Sequence, residues 1–444
     1  MAITSPETPT STEETVAEFR AWLEQNWDPD ITVGEWWERL GLAGWSAPSL
    51  PTNAYGHGLS RSDSVRIARE IGSFRALGPP AGLGLLLAAP TIATHGTQEQ
   101  IDLYVRDIVT GKRAWCQLFS EPGAGSDLAG LSTRATQQDD EWIINGQKVW
   151  TSGGQIADLG MLLARTDSSV PKHQGITYFA LDMHQPGVDV RPLREMTGHA
   201  MFNEVFMSDA RATSGAIIGE IGNGWAVANT TLMNERAGLG SGGGHAAAGA
   251  ATPGTVVNDL ARRAGDFVST TGAPKRRGGG SAGGMFGASY KLLVELAKGN
   301  GKIADPSVRQ DLMRLHTLNE LGRFNNLRAK AAKAIGQDVP GLPNISKLSM
   351  SEIVRQQRDV GLRIIGPYGT LHAYKPEHQA SLNEATGNPF TAMVTAMSLF
   401  AQAPPIYGGT DQVQRNIIGE RVLGLPKEPN NDKTAAFKDL PKNA

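Results

Sequence analysis

The stretch "ATQQDDEWIINGQKVW" (Ala135–Trp150) is where the chain changes its period. It reads as strand, turn, strand, and Asn145-Gly146 is a dipeptide that favours the two-residue primed hairpin turn. Upstream the spacing is helical. "STEETVAEFRAWLEQNW" opens with a capping box, Ser11 to Glu14, and places Val16, Phe19 and Leu23 on one face. Further helical patterns lie at Glu35–Leu42, Ser62–Phe74 and Gln98–Thr110. From about Arg113 short strands take over, and "DLGMLLART", "GITYFALDM", "GVDVRPL" and "FNEVFMS" carry them to about Asp209. After "IGEIGNGW" the helical period returns at Trp225–Leu239, Tyr290–Lys298, Pro306–Ile335, Ile345–Ile365 and Pro389–Gln402.

The predicted class is a multidomain α+β protein. An N-terminal α-helical domain (1–112) precedes a middle antiparallel β-domain (113–223) and a C-terminal α-helical bundle (224–426). A Gly-rich basic insert at about 269–289 reads as a loop or linker, and residues 427–444 read as a flexible tail.

Composition narrows the function classes. A chain of 444 residues accommodates two or three domains. Lys+Arg 42 against Asp+Glu 44 leaves a formal charge of −2, so neither nucleic acid nor an anionic membrane surface is expected as a partner. The single cysteine, Cys116, excludes an internal disulfide and fits a reducing cytoplasm. The start "MAITSPETPTSTEE" has no apolar signal core, and "PPAGLGLLLAAPTIA" is too short and interrupted to span a bilayer. A cytoplasmic protein is expected.

Several common constellations are set aside. Nine histidines without HExxH, and one cysteine, give no metal site. "GLGSGG" (Gly238–Gly243) follows a helical pattern rather than a strand, so it is no dinucleotide fingerprint. There is no Walker A loop. What remains is "WCQLFSEPGAGSDLAGL" (Trp115–Leu131), whose Ser120, Glu121 and glycine amides suit a flat polar ligand or a phosphate; local chemistry leaves an ordinary Gly-rich turn equally open. "NGQKVWTSGGQ" puts Trp150 and two hydroxyls at a strand end, where a core aromatic is the commoner reading. Near the C-terminus, "PPIYGGTDQVQRNIIGERVL" has a Gly-Gly turn, a Thr410 or Asp411 cap whose first N–H groups would suit an anion, and an amphipathic helix.

Taken in series, "SEPGAGSDLAGL", "INGQKVWTSGG", "FNEVF", "IGEIGNGW" and "IYGGTDQVQRNIIGERVLG" resemble the acyl-CoA dehydrogenase family, in order and separation, over about residues 60–240 and 345–425. The resemblance implies bound FAD and an acyl-CoA substrate oxidised to the trans-2-enoyl-CoA, with electrons passed to an electron-transfer flavoprotein. It places Leu118, Phe119 and Ser120 along the flavin's pyrimidine side, and Trp150, Thr151 and Ser152 beside the ring. Ser126 falls at the acyl-CoA mouth. Tyr407 would wall the flavin, Thr410 and Gln412 would hold the FAD chain, and Gly366 and Gly369 belong to a further cofactor loop.

Many relatives carry the catalytic base directly after the tyrosine, where this chain has Gly408. Members resembling the long-chain and isovaleryl enzymes carry it on an earlier helix in a Glu-Arg pair. "TLMNERAGLG" supplies Glu235 and Arg236 there. Glu235 is therefore the expected base, Arg236 and Gly409 lie near the substrate, and the Gly408 N–H is the expected donor to the thioester oxygen.

Two stretches depart from the family pattern. "AKGNG" (Ala297–Gly301) lacks the Arg and Phe that reach a neighbouring subunit's FAD, with Lys298, Lys302 and Arg309 as candidate replacements for that charge. "RIIGPYG" puts Arg363 where relatives have Gln, and Pro367 where they have Gly. The expected assembly is a homodimer or homotetramer, or a mixed α2β2 tetramer; a non-catalytic partner subunit is the alternative.

Overall fold

The computed structural model describes residues 12–240, 251–268, 289–429 and 432–441. Ser11 of the expected capping box, residues 241–250 and residues 269–288 of the Gly-rich insert lie outside the described residues.

Three helices, α1 (Thr12–Asn26), α2 (Val33–Leu42) and α3 (Arg61–Phe74), close around Phe19, Leu23, Trp36, Trp37, Leu40 and Ile67. Both α2 tryptophans are fully buried, and each gives its indole N–H to a carbonyl, Leu77 O at 2.7 Å and Gly78 O at 2.8 Å. That satisfies the one polar atom a buried indole carries. The apolar run set aside as too short for a membrane is helix α4 (Ala89–His95), entered through a π-helical turn at Gly84–Ala88. It is apolar on most of its circumference because protein surrounds it. The helical run α5 (Gln98–Gln100, Ile101–Val105, Arg106–Val109) starts at a Thr97–Gln100 capping box.

The middle region is a seven-stranded sheet: β1 (Trp115–Leu118), β2 (Arg134–Gln138), β3 (Glu141–Ser152), β4 (Leu159–Arg165), β5 (Ile176–Asp182), β6 (Val188–Leu193) and β7 (Phe202–Thr213). Its order is β1-β4-β2-β3-β7-β6, with β5 on the other side of β4. The sheet is not purely antiparallel, since β1 and β2 both pair with β4 in parallel. Strands β4 and β5 are buried almost throughout, which removes the alternation a half-exposed strand would show.

The hairpin turn is not at Asn145-Gly146. Gln138 pairs with Glu141, so Asp139 and Asp140 form the turn, and Asp139 takes φ 54°, a left-handed conformation that Asp tolerates. Asn145 and Gly146 lie inside β3 at a register shift against β7. A Cβ at Gly146 would come within 2.4 Å of Thr133 Oγ1, and Asn145 exchanges hydrogen bonds with Asp209. The pair marks a bulge rather than a reversal.

Helix α6 (Gly224–Gly240) returns the chain to helical structure. It is followed by α7 (Ser289–Gly299), α8 (Pro306–Ala334), α9 (Leu342–Ile365), α10 (Pro376–Ala385), α11 (Thr391–Phe400) and α12 (Asp411–Ile417, continued by a π turn at Ile418–Val422). Leu293, Leu315, Ile364 and Val394 centre this bundle's own core. Residues 251–268 were grouped with the bundle by sequence but pack on the N-terminal helices: Val33 N–H donates to Arg262 O (2.8 Å), and Ala264 joins the α1–α3 core.

The tail is also not loose. Ala436 bridges to Pro171, Phe437 N–H donates to Val170 O (2.9 Å) and Lys438 N–H to Ser168 O (3.0 Å). The Phe437 ring covers the Arg165 guanidinium at 3.4 Å, and Asp432 pairs with Lys172. Burial lowers Arg165 to about 10, still charged at neutral pH, and its N–H groups reach the carbonyls of Leu131, Lys172 and Ala129. A desolvated cation–π contact is worth roughly 2 kcal/mol. Phe437→Ala should therefore lower the urea midpoint by a stability equivalent of about 1–2 kcal/mol; an unchanged midpoint would mean the tail is not held there.

Candidate active site

The loop after β1 is organised by a buried ion pair. Lys148, fully buried on β3, gives its Nζ protons to Phe119 O (3.0 Å) and Glu121 Oε1 (2.8 Å). Glu121 also accepts the N–H groups of Ser132 (2.6 Å) and Thr133 (2.9 Å). Burial alone would raise the Glu121 pKa, but Lys148 and these donors hold it below the ordinary glutamate value. Glu121, considered above as a ligand contact, is thus fully occupied inside the protein. Ser126 is exposed further along this loop, next to Asp127, whose carboxylate pairs with Lys172 at 2.9 Å.

The same pair joins the two stretches expected to line the cofactor. Val149 N–H donates to Ser120 O (2.9 Å), which sets Ser120 beside the Trp150 segment. Trp150 is 57% exposed, with a left-handed backbone at φ 61° and its ring edge-on to Phe202 at 5.8 Å. A large residue rarely occupies that conformation, and the strain holds a flat apolar surface outward. Ser120 and Ser152 are half-buried beside it. Thr151 Oγ1 and Asn203 Oδ1 are buried with no hydrogen-bond partner among the described residues. An exposed aromatic face, half-buried hydroxyls nearby in the same segments and buried polar atoms without partners fit a flavin. The side chains of Leu118 and Phe119 point into the core, Phe119 edge-on to Tyr178 at 6.0 Å, so only their backbone is available to a ligand.

Glu235 is set by anchors one turn earlier on α6. Thr231 is fully buried, with its hydroxyl 3.0 Å from Thr91 Oγ1 of α4 and 3.3 Å from the Tyr178 hydroxyl of β5. The His95 ring meets Thr230 Oγ1 at 2.8 Å. These contacts fix the rotation of α6, and Glu235, four residues after Thr231, falls on the same face. Glu235 is half-buried, with Gln117 of β1 and Arg236 among the groups that act on it. Desolvation raises its pKa, with Gln117 and Arg236 pulling the other way. Arg236 is exposed, and Arg421 of the π turn after α12 adds a like charge near it.

The Tyr407-Gly408-Gly409 turn is built from backbone. Gly408 and Gly409 both take positive φ, 63° and 80°. Gln414, buried on α12, donates from Nε2 to both their carbonyls (3.1 and 3.3 Å) and accepts from Asn344 (2.7 Å). Because peptide planes are trans, the N–H groups of Gly409 and Thr410 point away from Gln414. Thr410 is the cap, taking the Val413 N–H at 3.1 Å, so this helix start serves itself rather than an anion. Asp411 is buried against Lys347 and Arg355. Gln412 is exposed; Tyr407 is half-buried, its phenol pushed up to about 12 by burial.

Gly366 ends α9 at φ 60°, and Gly369 packs so closely on α9 that a Cβ would sit 2.9 Å from the Leu362 side chain. Arg363 is tied to Asp311 of α8, and Asn300 of the "AKGNG" stretch donates to Ile364 O at 2.8 Å. Lys298 pairs with Glu295 within its own helix. Among the described residues no cluster has the makings of a metal site, and no helix is long and apolar enough to cross a membrane.

Family models for acyl-CoA dehydrogenases match along the chain: the N-terminal domain over residues 10–112, the middle domain over 116–210 and the C-terminal domain over 277–423. The chain belongs to the acyl-CoA dehydrogenase family, FAD-dependent oxidoreductases of lipid metabolism. It is 33% identical to the acyl-CoA dehydrogenase IpdE1 of Mycobacterium tuberculosis, over 88% of each chain. It is 31% identical to the mitochondrial long-chain specific acyl-CoA dehydrogenase of Rattus norvegicus, over 88% of this chain and 79% of that one. Among solved structures, the steroid acyl-CoA dehydrogenase Tcur3481-Tcur3483 superposes with a TM-score of 0.65 at 25% identity, covering 96% of this chain and 100% of that one.

Sequence reasoning missed Gln117 and the Lys148–Glu121 pair. The alternation of β1 offered a signal for the first, since Gln117 is the one polar side chain between buried Cys116 and Leu118. Breaking a buried ion pair from one side costs roughly 3–5 kcal/mol. Lys148→Met should lower the urea-measured stability by about that amount and release FAD more readily on dilution. Because the Glu121 pKa is depressed, the pair's stabilisation is present above the unfolded glutamate pKa and drains as pH falls through the lower folded value. An unaltered urea midpoint in the variant would refute the role.

Proposed function

We propose that this chain dehydrogenates an acyl-CoA thioester between Cα and Cβ, with Glu235 as the base. The observation that carries the reading is the setting of Glu235: a desolvated carboxylate of raised pKa on a helix pinned by Thr231, in a chain whose Tyr407-Gly408-Gly409 turn has no acid. A base works best when its pKa lies near the working pH, and desolvation moves a carboxylate that way. Glu235 takes the α-proton, while the Gly408 N–H supports the thioester oxygen as negative charge builds on it. FAD, when bound, accepts the β-hydride. Trp150, Ser120 and Ser152 would line its ring, Leu118 and Phe119 would offer backbone, and Thr151 would lie beneath. Tyr407, Thr410, Gln412, Gly366 and Gly369 would complete the cofactor site, and Ser126, Arg236 and Gly409 the acyl-CoA path.

Electrons would leave to an electron-transfer flavoprotein. Bulky, steroid-derived acyl groups are the favoured substrate class, supported by the steroid acyl-CoA dehydrogenase similarity. That neighbour's two-part name also supports a mixed assembly over a homo-oligomer. Arg363, tied to Asp311 where relatives have Gln, favours a second arrangement in which the partner subunit completes half the FAD site. Flavin absorbance of the chain expressed alone separates the two: yellow protein carries its own site, colourless protein needs the partner. Glu235→Gln in the yellow species, or in the reconstituted complex, should retain FAD and slow bleaching by substrate by roughly 10²–10⁴-fold. Bleaching at the native rate would remove Glu235 from the role.

A further inference from the structure

We infer that the end of the chain positions the loop at the acyl-CoA mouth. Asp432 and Phe437 hold Lys172 and Arg165, and these two cations hold residues 127–131, next to Ser126. The inference rests on the reading that Ser126 lies on the acyl-CoA path.

The loop after β1 is tied at two places. Glu121 fixes its ends, accepting the Ser132 and Thr133 N–H groups while Lys148 reaches Phe119 O. Past the Glu121–Ala124 bridge the loop is open, and a Cβ at Gly125 would meet nothing within 4 Å. Where Ser126 stands is therefore set by the second tie, at residues 127–131. Arg165 donates from Nη2 to Ala129 O at 2.7 Å and from Nε to Leu131 O at 3.1 Å. Lys172 Nζ donates to both Asp127 carboxylate oxygens, at 3.0 and 2.9 Å. Arg165 Nη1 also reaches Lys172 O at 3.1 Å, so the two cations act as one unit.

The loop alone does not satisfy them. Both cations are buried, and a buried charge must be matched by partners that replace water. The end of the chain supplies the remainder: the Phe437 ring lies 3.4 Å from the Arg165 guanidinium, and Asp432 pairs with Lys172. The tail is itself located by backbone, with Phe437 N–H on Val170 O and Lys438 N–H on Ser168 O. Those carbonyls belong to the β4–β5 connection, which also carries Lys172. Tail, connection and mouth loop thus form one continuous network. Uncovering Arg165 lets water compete for its N–H groups and loosens its hold on Ala129 and Leu131.

The test is amide hydrogen exchange on the FAD-loaded full chain, reconstituted with its partner if it is colourless alone. Native protein is compared with Phe437→Ala, Phe437→Trp and Asp432→Asn. Gly130 and Leu131 report on the second tie, since their N–H groups bond to Asp127 O and Leu128 O. Both should exchange roughly tenfold faster in Phe437→Ala and faster also in Asp432→Asn. Ser132 and Thr133, held by Glu121, should keep their rates. Phe437→Trp should restore the native rates, because an indole face also covers a guanidinium. Coenzyme A, the part that every acyl-CoA carries, probes the mouth. It should slow exchange over residues 122–131 in the native protein and bind Phe437→Ala about tenfold more weakly. Unchanged Gly130 and Leu131 rates in both Phe437→Ala and Asp432→Asn overturn the inference. An equal rise at Ser132 and Thr133 overturns it too, since that marks general loosening. The reading beneath it fails by a different result: millimolar coenzyme A that leaves residues 122–131 unprotected in the native protein takes Ser126 off the acyl-CoA path. Should Phe437→Ala not fold, Asp432→Asn decides alone, since Asp432 is half-exposed and its loss leaves the cover on Arg165 in place.

Discussion

The ion pair between Lys148 and Glu121 is the contact on which the site's geometry depends. Lys148 has no exposed surface, so its charge is tolerable only while Glu121 and the Phe119 carbonyl receive its protons. That requirement clamps the loop after β1 to the end of β3. Once the clamp is closed, Ser120, Trp150 and Ser152 have one arrangement, and the left-handed backbone at Trp150 is held against its own preference. A wholly apolar pair could have joined the same strands. It would not have tied down the Ser132 and Thr133 amides that Glu121 receives.

The proposed reacting groups are divided between scaffolds of different kinds. The proposed base stands on a long helix whose rotation is set by hydroxyl contacts to α4 and β5, so its precision comes from packing. The expected oxygen-binding amide stands on a glycine turn whose precision comes from Gln414 reaching back to two carbonyls. Placing the acid on α6 relieves the turn of any side chain. Consecutive glycines at positive φ are then an advantage, because the backbone can face a ligand directly.

The helix–sheet–helix order was legible because it is written in periods, and periods are local. The Asn145-Gly146 dipeptide misled for the same reason: its turn propensity is local, whereas Thr133 and Asp209, which turn it into a bulge, come from other strands. Helix α4 was illegible because a helix surrounded by protein has no polar face to mark its period. Glu235 became the candidate base through the missing acid after Tyr407, a signal that spans the chain. Gln117 was not legible, since nothing in β1 itself points to a residue of α6. The tail read as loose because its anchoring residues, Asp432 and Phe437, meet Lys172 and Arg165 across gaps such as the 260 residues between Lys172 and Asp432.

That last contact bears on how the protein comes into being. During synthesis the central sheet leaves the ribosome well before Phe437 exists. Until Asp432 and Phe437 arrive, Arg165 and Lys172 have only part of their native surroundings. The middle region is completed only once residues 432–438 have emerged, so a copy cut short before them would carry a guanidinium without its aromatic cover at the base of the Ser126 loop.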